Sequence, residues 1–252
     1  MRGKTVLALA LALGLSAAAG ATTLIAVTAT ELTDGADAIV TGTAVHREVV
    51  TSRNGAFPFT YVTFQIHQTF KGRVLGNELT LRLHGGELGN REVVVQGMPR
   101  FEVGETYLLF VRNNGHSASP LMGWVQGQMR FGKEARSGET ILVDHRDRAV
   151  LGLEAGRFAV SDQPVAAPGE IAPGVKVLAE ESVQILAADP AAEKEPVPAV
   201  GEVLEQLAAF VAERSSAPTF APGRVVVSAR PSDVPFDVKI QTAAPRLEVQ
   251  DD

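Results

Sequence analysis

The feature that most constrains this chain is strict two-residue alternation, repeated along its middle third. In residues 60–70, Val62, Phe64 and Ile66 share one side while Tyr61, Thr63, Gln65 and His67 share the other. In 78–84, Leu79, Leu81 and Leu83 alternate with Thr80, Arg82 and His84. In 121–131, Leu121, Val125, Met129 and Phe131 face one way, with Gly123 and Gly127 between them. Successive side chains of a strand point to opposite faces, so this pattern describes antiparallel strands with one face buried. Residues 107–111 are apolar on both faces and read as a central strand covered on both sides. Residues 38–45 and 92–96 add two more strands, and 140–151 forms a hairpin turning at His145, Arg146 and Asp147.

Gly and Asn, which tolerate turn conformations, fall between these runs at Gly72, Gly76-Asn77, Gly85-Gly86, Gly89-Asn90, Gly104 and Asn113-Asn114-Gly115. Seven or eight strands in about 130 residues, with turn signals roughly every 8–12 residues, predict a small barrel or sandwich. No helical pattern interrupts the strands to cover a sheet, which favours a barrel. The expected fold is mainly β: a small antiparallel OB-like barrel with one C-terminal helix and a partly disordered tail.

That helix is expected at 199–214. Val200, Val203, Leu204, Leu207, Ala208 and Val211 form a stripe at helical spacing, and Pro198 stands at its start. Its expected role is to dock on the barrel and plug one end, with partner docking as the alternative. Residues 161–198 read as an Ala/Pro/Glu-rich connector and 215–252 as a Pro-punctuated tail. Within the tail, 224–228 and 236–240 read either as edge strands or as disordered chain.

The first 21 residues resemble a secretory signal: Arg2 and Lys4, an apolar run from Val6 to Leu15, then Ala19-Gly20-Ala21. The barrel domain is then expected at 22–160 of an exported protein, periplasmic or extracellular. Without Arg2 and Lys4 the 23 basic residues become 21 against 29 acidic ones, a mature net charge of −8. This balance argues against a nucleic-acid partner. No later apolar run reaches the length of a membrane-spanning helix, about 20 residues, so no integral membrane span is expected. The chain has no cysteine. That excludes disulfides, thiol catalysis, iron–sulfur clusters and cysteine zinc sites.

The motifs ADAIVTGTAV (36–45), VTFQIHQTFKG (62–72) and FEVGETYLLFV (101–111) occur in order, with a strand ending at Gly85-Gly86 between the last two. This order resembles a group of exported bacterial domains of unassigned function. More distantly it resembles the OB-type barrel of tissue inhibitors of metalloproteinases and netrin-like modules. The resemblance spans about 31–131. It implies a barrel and an accessory role, with an exported protease as one possible partner. The inhibitors chelate zinc through an N-terminal Cys, whereas the expected mature N-terminus here is Thr22.

No pair among His46, His67, His84, His116 and His145 has the spacing of a zincin site. No nucleophile elbow or P-loop is present. Glu87, Glu92 and Glu102 are acids in loops, and residues 144–147 read as a solvated hairpin tip. These residues point to no catalytic group, metal or cofactor. The ligand or partner surface is expected at Trp124, Tyr61, His84, Gly85 and Gly86, with a protein partner reached through the barrel-end loops 85–98 and 113–120. The first functional reading is a non-enzymatic exported binding or accessory module. A hydrolase or metalloenzyme assembled from distant residues, and a structural envelope component, are the alternatives.

Overall fold

The computed structural model describes residues 26–55, 57–89, 91–134, 137–165 and 197–231. The expected signal segment, most of the connector, and the tail from 232 with its 236–240 strand lie outside the described residues.

The chain is mainly β, as the alternation requires. Its framework is an eight-stranded antiparallel sheet in the order β11-β10-β9-β8-β7-β1-β2-β4. The long pair β1 (Ala38–Thr51) and β2 (Pro58–Lys71) runs side by side, with Ala44 opposite Phe64. β4 (Glu78–His84) flanks β2, and β7 (Thr106–Val111) flanks β1. Beyond β7 follow β8 (Gln128–Lys133), β9 (Thr140–Val143), β10 (Arg148–Glu154) and β11 (Arg157–Pro164). The strand region therefore extends past residue 160. Two short ribbons complete it. β5 (Gly86–Leu88) pairs with β6 (Arg91–Val93), and β3 (Arg73–Val74) pairs in parallel with β12 (Val225–Val226).

β7 explains the doubly apolar run. Tyr107, Leu109 and Val111 join a core with Val40, Val62, Phe64, Leu79 and Leu81. Leu108 and Phe110 join a second core with Ile39, Met129, Leu142 and Val150. One strand thus feeds two interiors, and each face needs its own cover.

Helices supply part of that cover: among the described residues no α-helix interrupts β1 to β11, but one precedes the run and one follows it. α1 (Ala29–Gly35) precedes β1 and buries Leu32 in the second core. Thr28 caps it, accepting from the Glu31 N–H at 3.1 Å, while Glu31 accepts from the Thr28 N–H at 2.8 Å. This reciprocal capping box has the sequence form Thr28-x-x-Glu31. α2 (Val200–Arg214) places Val203, Leu207 and Val211 in the same core, with Val200 and Leu204 half-buried and Ala208 exposed. The helix covers a sheet face rather than plugging a barrel end. The strand order ends at β4 and β11. No helix among the described residues is long and apolar enough to cross a membrane.

After α2 the chain returns along the β3–β4 edge. The Arg224 N–H donates to the Asp37 carbonyl at 2.8 Å, and the Ala229 N–H donates to the Thr80 carbonyl at 2.9 Å. The 224–228 expectation was therefore sound in place, with β12 as its regular part. Gly72 and Gly223 touch backbone to backbone here, and a Cβ on either would overlap main-chain atoms. Lys71, buried at the end of β2, donates to the Thr33 and Asp34 carbonyls at 2.7 and 3.0 Å. Its ammonium lies 4.1 Å from the Phe220 ring centroid. Asp34 meanwhile accepts from Arg214 and Thr219. α1, β2, α2 and the returning segment meet at this cluster.

Candidate functional site

The expected surface residues separate into two places. His84 closes β4, and Gly85 and Gly86 follow it at φ 99° and 141°, in the region that favours glycine. The Gly85 N–H donates to the Pro58 carbonyl at 3.0 Å, and the Gly85 carbonyl accepts from Thr60 Oγ1 at 2.8 Å. A Cβ on Gly86 would stand 2.6 Å from Thr60 Oγ1. The two glycines therefore let the β5–β6 ribbon fold back closely over β1 and β2.

The ribbon, with Ala229 from the returning chain, buries the second face of β2 at this end. Tyr61, expected on a polar face, is only 1% exposed and packs with Phe57 and Phe59. It cannot act as a ligand platform. His84, likewise expected on a polar face, is half-buried. Its ring meets Phe59 and Phe57 edge-on, with centroids 4.9 and 5.7 Å away. Burial holds the imidazole pKa below its usual value, and the nearby Arg82 charge adds to this.

Above this packing, the ribbon and the 98–102 segment enclose a cavity of about 220 Å³. Its apolar lining includes Val62, Leu83, Met98 and Phe101, and its charged lining includes Arg47, Glu87, Glu92, Arg100 and Glu102. Phe101 is set by an edge-to-face triad, 5.0 Å from both Phe64 and Tyr107. The Tyr107 hydroxyl accepts from the Glu102 N–H at 2.9 Å and donates to the Glu105 carboxylate at 2.8 Å. Burial raises the phenol pKa, so it stays protonated and keeps donating. On the rim, Glu92 and Arg100 form an exposed ion pair at 3.2 Å. The sequence marked Glu87, Glu92 and Glu102 separately as loop acids. Only the fold brings them to one cavity.

Trp124 lies elsewhere, and not on a strand. Residues Trp124–Gly127 form a 3₁₀ turn, and β8 starts only at Gln128. The alternation in 121–131 was misleading because Gly123 adopts φ 70° and reverses the chain. Trp124 is 38% exposed and lines a second cavity of about 190 Å³ with residues of the 112–119 segment.

The 144–147 tip is less solvated than expected. Asp144 is buried, accepts from the Arg146 and Arg148 N–H groups at 2.8 and 2.9 Å, and pairs with the Arg148 guanidinium at 2.7 Å. These bonds use the carboxylate to shape the turn. His67 shares a hydrogen bond with Thr43 at 2.7 Å. Among the described residues, no three His, Asp or Glu side chains are grouped so as to hold a metal ion. Comparison with protein-family models, curated proteins and solved structures gave no match.

Proposed function

We propose that this chain is an exported, non-enzymatic binding or accessory module that docks a protein partner at the β5–β6 end, an exported protease being one class of partner. The observation that carries the reading is the 220 Å³ cavity beside the ribbon, lined by buried Val62, Leu83 and Phe101 and by exposed Glu92 and Arg100. That is the anatomy of a protein-recognition patch: an apolar centre ringed by polar groups. The volume falls below the roughly 300–1,000 Å³ of pockets that enclose a drug-sized ligand. It suits one inserted side chain. Val94, 62% exposed beside β6, offers apolar contact area at its margin. An OB-like curvature belongs to the same proposal. The register shifts along β1 and β2 support it, because bulges increase twist and bend strands.

Affinity capture from exported fractions tests the reading, using the mature protein and its Val94→Asp variant. Recovery of one exported protein by the wild type, and loss of it with Val94→Asp, is the expected result. No partner, together with substrate hydrolysis by the pure protein, would overturn it. The hydrolase alternative draws on Glu87, Glu92, Glu102 and His84 lining one cavity. It requires activity that His84→Ala abolishes.

A further inference from the structure

We propose that the cavity beside Trp124 is a binding site for a ring-bearing anion of the uronic-acid class, separate from the protein-docking cavity. The first observation is backbone conformation. Trp124 has φ 59°, a left-handed value that a bulky aromatic rarely adopts, directly after Gly123 at φ 70°. Neighbouring contacts hold it there. The Val125 N–H donates to the Gly97 carbonyl at 3.0 Å, and the Gln126 N–H donates to the Gly123 carbonyl at 3.1 Å. Gln126 Oε1 accepts from the Val27 N–H at 3.0 Å. The turn is pinned on both sides, and Trp124 is left 38% exposed at the cavity. Strain held in place by surrounding structure is a mark of ligand sites.

The second observation is the balance of donors and acceptors. The cavity is lined by Arg112, Asn113, Ser117, Ser119, Met122 and Trp124, among others. Arg112 is its single charged lining residue, in a chain of net charge −6. Its Nη1 donates to Met122 Sδ at 3.0 Å, and a thioether is a weak acceptor. Among the described residues Arg112 forms no ion pair. Ser119 Oγ accepts from the Leu121 N–H at 3.3 Å and retains its own proton to donate. Asp37, which touches the lining residue Asn113, is already engaged: it accepts from the Asn113 N–H at 2.7 Å and lies 3.6 Å from Arg224.

A wall with surplus donors and no carboxylate calls for an anion. Arg favours carboxylate, to which it can donate two parallel hydrogen bonds. The exposed indole adds a flat apolar face, which suits the CH groups of a sugar ring. A volume of about 190 Å³ limits the site to roughly one such ring or the end of a longer chain.

Trp124 is the sole tryptophan, so emission excited selectively from tryptophan, away from the absorption of Tyr61 and Tyr107, reports this site alone. The mature protein is titrated with glucuronate, glucose and acetate at matched ionic strength, and amide shifts of 112–124 are followed by NMR in parallel. Expected is a saturable response to glucuronate, at least tenfold weaker with glucose, with acetate and in a folded Arg112→Gln variant. No saturable change with glucuronate by either readout would overturn the site. An equal response to glucose, or in Arg112→Gln, would overturn the anion, and an equal response to acetate would overturn the ring.

Discussion

Replacing Leu207 by Ala tests how the second core is closed. Leu207 is fully buried on α2 and belongs to the core that includes Leu108, Phe110 and Leu142 of the sheet. Truncation removes three carbons from a site walled by strands on one side and helix on the other. Such a site collapses poorly, and Leu→Ala changes of this kind cost about 2–5 kcal/mol. We expect about 3 kcal/mol, near the middle of that range. At roughly 2–4 °C per kcal/mol for a chain of this size, Tm falls by about 6–12 °C. Ala209→Ser, on the exposed side of the same helix, is the control, with a change within about 0.5 kcal/mol. Urea unfolding followed by Trp124 emission measures both, and an unchanged m-value shows that the same surface unfolds. If Leu207→Ala matches Ala209→Ser, α2 does not close the core and the sheet has another cover.

Other outcomes follow from individual groups. Burial lowers the pKa values of His84 and His145 in the folded chain. The unfolded chain therefore takes up these protons first, and stability falls as pH drops from about 7 through 6.5 toward the folded values; His84→Phe and His145→Asn should each flatten part of that slope in urea titrations. Tyr107→Phe removes the hydroxyl linking the Glu102 N–H to Glu105 and should cost about 0.5–1.5 kcal/mol by equilibrium unfolding. Gly86→Ala combines a left-handed backbone with a clash against Thr60 Oγ1, so it should destabilise by about 1–3 kcal/mol and raise hydrogen exchange in β5 and β6.

The strands were readable because their apolar side chains recur at the pleat period. The doubly apolar run at 107–111 led directly to the central strand, and the α2 stripe to the helix. Coverage was less legible. Tyr61 and His84 alternate correctly as outward residues of β2 and β4, yet the β5–β6 ribbon and the returning chain bury that face. Alternation reports which side a residue points to, not what lands on it. Trp124 failed differently: with glycines at 123 and 127 the spacing mimics a strand, while the first glycine's left-handed backbone turns the chain. α1 is only seven residues long, too short to show a stripe, and its capping box was its one clear signal. The cavity acids and Arg47 come from separate elements, so no local pattern joins them.

Hydrogen exchange of the chain from Thr22 onward, alone and with any protein recovered by affinity capture, maps the proposed docking surface. Added protection is expected in the β5–β6 ribbon and the 94–102 segment, with β9 to β11 unchanged. Protection confined to β9–β11 or α2, with the ribbon exchanging as before, would contradict that placement.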